Sequence, residues 1–340
     1  MDDYLDSSEQ AELREAARTF MSRTGSMPAQ DMWKRLTGEL GLTGLAVPSR
    51  YGGSGAGLAE VAVAVAEAGR VLLPVPLLST ALAGAVLSEG SELRAAEPGV
   101  ADFLAGIAAG SMRAAFVFTG ALTVADGRVC GAAQHVLDGG EADLFIVRAG
   151  ATLHAVPAAR AIPTPVGTLD QTRSQAIVEF RDSPAIGIGA DAQRAEELLR
   201  TMLAVESTAA AEHCLEVTVA YLKTRMQFGQ PIGTFQALKH RCADLAVEIA
   251  SAQATARAAV HAAIAVPDQL QVLGPLAKRH CADVFWQVAA EMIQLHGGIG
   301  FTWEHEAHRY LKRAKTTQLL HGSPAELRRL IAHRAGLDQA

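Results

Sequence analysis

Over the first hundred residues the apolar positions recur with helical spacing. Leu13, Ala16, Ala17, Phe20 and Met21 fall at i, i+3, i+4 and i+7 positions, which predicts an amphipathic helix from Ser8 to about Glu39 with Ser7 or Ser8 as its N-cap. Pro48 and the glycines of 41–57 mark a loop. Residues 58–72 then read as an apolar helix and 77–109 as one or two more. Between about Arg113 and Pro184 the period changes to short β-branched runs punctuated by Asp-Gly and Gly-Gly, the pattern of a small β domain. Helical spacing returns over 193–224, 234–266, 270–295 and 325–334. Helices, then strands, then helices, without β-α alternation, imply an α+β fold and not a parallel sheet. The expected division is an N-terminal helical domain (1–112), a middle β domain (113–186) and a C-terminal helical domain (187–340).

Composition narrows the partners. The 340 residues are 49% hydrophobic and 19% charged, within the globular range, and alanine, the best helix former, fills many apolar positions. Thirty Lys and Arg against 36 Asp and Glu give a net charge of −6, which argues against a nucleic-acid groove or an anionic membrane surface. Cys130, Cys214, Cys242 and Cys281 lie far apart with no C-x-x-C pair, so free thiols in a reducing compartment are expected. The first residues, MDDYLD, are acidic where a signal peptide would be basic. Pro74 and Pro76 break the longest uncharged stretch, 71–88, leaving too few residues for the roughly 20 needed to span a bilayer. A cytoplasmic chain without membrane insertion or nucleic-acid partner is predicted.

Two turns carry chemistry. At 225–236, Arg225-Met226-Gln227-Phe228-Gly229-Gln230-Pro231-Ile232-Gly233-Thr234-Phe235-Gln236 ends one long helix and starts the next. Pro231 stops a helix, Gly229 and Gly233 permit a tight turn, and Thr234 can cap the second helix. An ordinary helix–helix turn leaves the arginine, phenylalanine and glutamines unexplained. They suit a phosphate-bearing aromatic ligand: Arg225 for bidentate phosphate binding, Phe228 for stacking, an amide such as Gln227 for a base edge or ribose. At 294–302, Gln294-Leu295-His296-Gly297-Gly298-Ile299-Gly300-Phe301-Thr302 pairs adjacent glycines that let a ligand approach the backbone. By itself this segment is equally a helix C-cap and loop.

Together, R-x-x-F-G-x-x-I-x-x-F-Q and the later Q-x-x-G-G-x-G-F resemble the C-terminal helical domain of the acyl-CoA dehydrogenase family. GLTGLAVPSRYGG resembles that family's N-terminal loop, and Trp303-Glu304 through Arg313-Ala314-Lys315 resembles the stretch before its last helices. The resemblance implies a C-terminal four-helix bundle and FAD as cofactor. It also implies an acyl-CoA substrate dehydrogenated across Cα–Cβ and an electron-transfer acceptor. On that resemblance Arg225, Gln227, Phe228, Gln236, Gln294, Gly297 and Gly298 would hold the ADP half of a flavin seated mainly in a neighbouring subunit.

The chain departs from the family where the chemistry is done. The usual glutamate base, in a Y-E-G-T segment, aligns with Leu320-His321-Gly322-Ser323, so His321 stands in its place. The alternative glutamate aligns near Ala265, and 249–266 contains no Asp or Glu. His321 is then either the base or an inert group in a vacated site. The T-E-P-x-x-G-S-D strand is replaced by Phe116-Val117-Phe118-Thr119-Gly120, and the W-I-T flavin platform by His135-Val136-Leu137.

This pattern, and a length short for the family, resemble the small subunits of actinobacterial heteromeric acyl-CoA dehydrogenases of steroid and side-chain degradation. The implied partner is a larger acyl-CoA dehydrogenase-like subunit in a heterotetramer. A homo-oligomer using His321 or another base, and a flavin-free scaffold, are the alternatives. Asp170, Thr172 and Arg173 read as a turn-organising cluster. His305-x-x-His308 lacks a supporting ligand set for a metal, so none is expected.

Overall fold

The computed structural model describes residues 7–23, 27–93 and 99–337, so the acidic start of the chain lies outside the described residues. Helix α1 (Ser8–Ser22) opens with a capping box. The Ser7 hydroxyl accepts from the Gln10 N–H at 3.2 Å, and Gln10 Oε1 accepts from the Ser7 N–H at 3.3 Å. The single helix expected to run to Glu39 is two, because Pro28 lacks the N–H a helix interior requires. It stands with an extended ψ of 139° as the N-cap of α2 (Ala29–Leu40). Helices α3 (Leu58–Arg70), α4 (Leu77–Leu93) and α5 (Val100–Ala108) complete the N-terminal part.

The strands are β1 (Ala114–Val117), β2 (Ala121–Ala125), β3 (Arg128–Leu137), β4 (Leu144–Ala149), β5 (Thr152–Pro157), β6 (Ala161–Pro165), β7 (Gln175–Pro184) and β8 (Ile186–Asp191). They form two four-stranded sheets, ordered β1-β4-β5-β8 and β2-β3-β7-β6. Only β1 and β4 pair in parallel. Alternate residues of both sheets point into a shared core. Val117, Phe145 and Val156 of one meet Val129, Val178 and Phe180 of the other, and the Phe145 and Phe180 rings meet edge to face at 5.6 Å.

The chain then enters α6 (Ala192–Thr224), the short strands β9 (Met226–Gln227) and β10 (Gln230–Pro231), and helices α7 (Gln236–Ala265), α8 (Pro267–His296), α9 (Gly298–Phe301), α10 (Ala307–Leu319) and α11 (Pro324–Arg334). The architecture is therefore N-terminal helices, central sheets and a C-terminal helical bundle. Two compact units result. One comprises residues as far as Val65 with Pro74–Leu199, and the other Ala66–Leu73 with the chain from Arg200 onward.

In the second unit α7 buries Leu245, Ile249, Ala252, Ala256, Ala259 and Ala263, a stripe with the helical period. The small alanine side chains let α7 lie close against α8, whose Ala277, Cys281, Phe285 and Val288 fill the same core. A buried ion pair, Arg313 to Glu206 at 3.1 Å, ties α10 to α6. Pro275 sits inside α8, where its missing N–H deprives the Gln271 carbonyl of its helical donor. Arg334 of α11 supplies the replacement, donating from Nη1 to Gln271 O at 2.6 Å. Among the described residues no helix is long and apolar enough to cross a membrane.

Candidate functional site

The end of α6 is built into a miniature hairpin. Arg225 N–H donates to Tyr221 O at 2.9 Å, and Ile232 N–H returns to Arg225 O at 2.8 Å. Phe228 and Gly229 form the turn with φ of +53° and +77°, the left-handed pair that matches strand twist. Phenylalanine in that conformation costs about 1 kcal/mol, and its ring is 89% exposed with only an edge contact to Phe235 at 6.0 Å. Thr234 does not cap α7. Its hydroxyl donates to Pro231 O at 2.7 Å, and Phe235 is the N-cap. The reason is the 3-10 turn at Ile232–Thr234, which places Thr234 one residue too early.

The end of α8 is the second turn. Gly297 adopts φ +63° and ψ −142°, a backbone conformation that side chains with a Cβ avoid. Ideal Cβ atoms built on Gly297 and Gly298 meet nothing within 4 Å, so both glycines leave open space beside the backbone. Beyond them Phe301 and Trp303 are 83% and 74% exposed.

These two turns adjoin. The Tyr221 and His296 rings stack with centroids 4.5 Å apart, and Tyr221 Oη donates to His296 O at 3.4 Å. The His305 ring lies tilted against His296 in turn, centroids 4.3 Å apart. Tyr221 lies one helical turn before Arg225, and His296 directly precedes Gly297. Arg225, Gln227, Phe228, Gln236, Gln294, Gly297 and Gly298 are all exposed. The side chains of Arg225, Gln227, Gln236 and Gln294 make no hydrogen bond or ion pair with any described residue. A guanidinium, three amides, an outward aromatic ring and a backbone cradle that a Cβ would fill are the groups a dinucleotide's phosphates, ribose and base require. The residues present fit the ADP half of FAD.

The segment aligned with the usual base is organised in the opposite way. His321 and Gly322 have φ of +53° and +112°. Lys278, 1% exposed, donates from Nζ to Gln318 O at 3.0 Å and Gly322 O at 2.6 Å, while Arg200 Nε donates to His321 O at 3.0 Å. Ser323 and Glu326 close a capping box on α11. Burial first, and the Arg200 guanidinium second, push the Lys278 ammonium down to about 7. Sequence reasoning missed Lys278, since a lysine at a core-facing helical position gives no signal beyond the interruption of an apolar stripe.

In the first unit β1 and β2 are joined by residues 118–120 alone. Phe116 and Phe118 stack there at 5.2 Å. His135 occupies a bulge in β3 with φ +54°, and its Nδ1 lies 3.2 Å from Gln175 Oε1. Asp170 Oδ1 accepts from the Thr172 N–H and hydroxyl at 2.9 and 2.5 Å, organising the turn before β7. Ala265 is the last residue of α7.

Comparison with known proteins gives consistent matches. Residues 7–97 match the acyl-CoA dehydrogenase N-terminal domain and 190–336 the acyl-CoA dehydrogenase C-terminal domain. Acyl-CoA dehydrogenase IpdE2 of Mycolicibacterium smegmatis is 39% identical over 94% of this chain and 92% of that protein. IpdE2 of Mycobacterium tuberculosis is 38% identical over 88% and 86%. Among solved structures, a variant of the Tcur3481-Tcur3483 steroid ACAD superposes with a TM-score of 0.87 at 26% identity, over 97% of this chain and 98% of that one. The Mycobacterium tuberculosis ChsE4-ChsE5 complex gives 0.86 at 22% identity over 98% and 99%, a likeness of fold.

Proposed function

The chain belongs to the acyl-CoA dehydrogenase family, and on that premise we propose that it is the small subunit of a heteromeric, FAD-dependent acyl-CoA dehydrogenase. Its task is to grip the ADP half of a flavin whose ring is seated in a larger partner subunit. The observation that carries this reading is the set of uncommitted groups on two adjoining turns: Arg225, Gln227, Gln236 and Gln294, with Phe228 turned outward and Gly297 and Gly298 open.

Bound FAD supplies a hydride acceptor for the β-hydrogen of an acyl-CoA thioester. Arg225 binds phosphate oxygens through its fork of N–H groups, which a lysine could not match. Phe228 offers a face for stacking, and Gln227, Gln236 and Gln294 orient the ribose and base by amide hydrogen bonds. The glycine turn brings backbone close to the ligand. Neither alignment position for the α-proton base carries a carboxylate, so the base belongs to the partner. The short β1–β2 connection and the His135 bulge support a first unit that no longer seats the flavin ring.

The likeness to a steroid ACAD supports a steroid-derived acyl-CoA as substrate class, with electrons passing to a separate acceptor protein. Four free cysteines, two of them buried, suit a reducing cytoplasm. The test is the visible spectrum of the chain expressed alone and with a larger acyl-CoA dehydrogenase partner. A chain that is colourless alone and yellow with the partner is expected. A yellow homomer bleached by acyl-CoA would overturn the heteromeric reading. No flavin with any partner would leave a scaffold.

One observation favours a second reading, in which His321 is the base of a homomer. Its segment is held by Lys278, Arg200 and a capping box, so the imidazole stands on a fixed backbone. On that reading the yellow homomer is no longer reduced by acyl-CoA on His321→Ala while keeping its flavin.

A further inference from the structure

The imidazoles beside the glycine turn have complementary tautomers. His296 Nδ1 donates to Met292 O at 2.7 Å, which leaves Nε2 as the lone pair, and that Nε2 is buried without a partner. His305 Nδ1 accepts the Ala307 N–H at 3.1 Å, so its own N–H is at Nε2. In this arrangement neither ring has a convenient place for a second proton. A proton on His296 would enter a buried position with no acceptor. One on His305 Nδ1 would displace the amide that starts α10.

We propose that the Tyr221–His296–His305 stack is a positioning strut that sets the Gly297–Gly298 turn against the Arg225 corner, and that it holds this arrangement only while His296 is neutral. The inference rests on the flavin reading above. It adds that flavin grip is lost in mild acid. Around the stack, α6 presents Tyr221 and His213, the segment after α9 presents His305 and Glu306, and α10 presents Arg309. Glu306 is taken up by His213, Nε2 to Oε1 3.8 Å, and no carboxylate of a described residue lies within salt-bridge reach of His296. Burial holds the His296 imidazole below its ordinary 6.5, against the opposing pull of its bond to Met292 O.

The test is FAD affinity of the apo complex with its larger subunit, followed by flavin fluorescence at pH 7.5 and 5.5. Wild type should lose affinity at pH 5.5, by less than the roughly tenfold an unperturbed histidine would give, because burial holds His296 lower. His296→Phe keeps a stacking ring that cannot titrate, and it should bind at pH 7.5 nearly as wild type and show no acid loss. His296→Ala, which removes the ring, should bind weakly at both. A flat wild-type profile, or a His296→Phe profile as steep as wild type, would overturn the proposal. If the wild-type complex binds no FAD at any pH, the flavin reading has failed. Amide exchange of 294–300 in the wild-type complex then decides the strut: faster exchange at pH 5.5 supports it, and unchanged exchange overturns it. The same exchange measurement decides the case in which His296→Phe does not fold.

Discussion

Two turns of the second unit hold similar polar groups and use them in opposite ways. At the Arg225 corner and Gly297 turn the side chains of Arg225, Gln227, Gln236 and Gln294 are exposed and bonded to no described residue. At 320–323 buried cations are committed to backbone carbonyls, Lys278 to two and Arg200 to one. The Arg225 guanidinium makes no ion pair with a described residue, so its donors are open to an external group. Donors consumed by the fold hold a backbone in place and are no longer available to a ligand. The first pair of turns keeps its polar groups open to a ligand, and the second spends them on holding its own backbone.

The largest effect that could break this contrast is at Arg225. Arg225→Ala should weaken FAD retention in the assembled complex by about 3 kcal/mol, or on the order of 100-fold, for two charge-assisted bonds. Equilibrium dialysis at fixed ionic strength measures it, and an unchanged affinity would remove Arg225 from the grip.

Lys278 sharpens the other side. Its folded value, about 7, lies below the ordinary 10.5, so the unfolded chain binds more protons between those values and stability rises with pH. The penalty is fully present below about pH 7 and is relieved as pH climbs. Cys214 and Cys281 are shifted the opposite way by burial, and they take stability away above their ordinary 9.0. Between pH 7 and 9 Lys278 should therefore contribute a rise of about 2 kcal/mol in unfolding free energy, visible in urea titrations. Lys278→Met should flatten that rise.

Phe228→Ala should cost about 1 kcal/mol of FAD affinity if the ring stacks on the ligand, while the exposed side chain predicts little change in melting temperature. The smallest effect is expected at His321. In the heteromer His321→Gln should change turnover less than twofold, because the proposed reading assigns the base to the partner. A loss of turnover on the order of a hundredfold or more, the scale of a general base, would shift the catalytic role to this chain.

Much of the fold was legible because periodicity and capping chemistry are local. The N-cap at Ser7 or Ser8, the change to strands after Arg113 and the long helices of the second unit all arise from residues close in sequence. The break before α2 was missed because the apolar spacing continues past Pro28. Helix α10 was missed because its buried face includes Arg313, Thr317 and Gln318 beside Ala307, Tyr310 and Ala314, which blurs the apolar stripe. The exposed residues of the two turns were legible as a motif. That their side chains are uncommitted, and that Tyr221 and His296 join the two turns, depends on tertiary contacts over 75 residues of sequence. Lys278 has the same origin, since its acceptors lie 40 and 44 residues away.

Pro275 carries a different lesson. Taken alone it is a flaw in α8, a helix residue that leaves one carbonyl of its own helix without a donor. Because Arg334 bonds that carbonyl, the flaw serves as an address, and α11 meets α8 at a rung the proline leaves open. Replacing the proline by a better helix former would repair the rung and erase the address, so a residue that weakens one helix specifies where another docks.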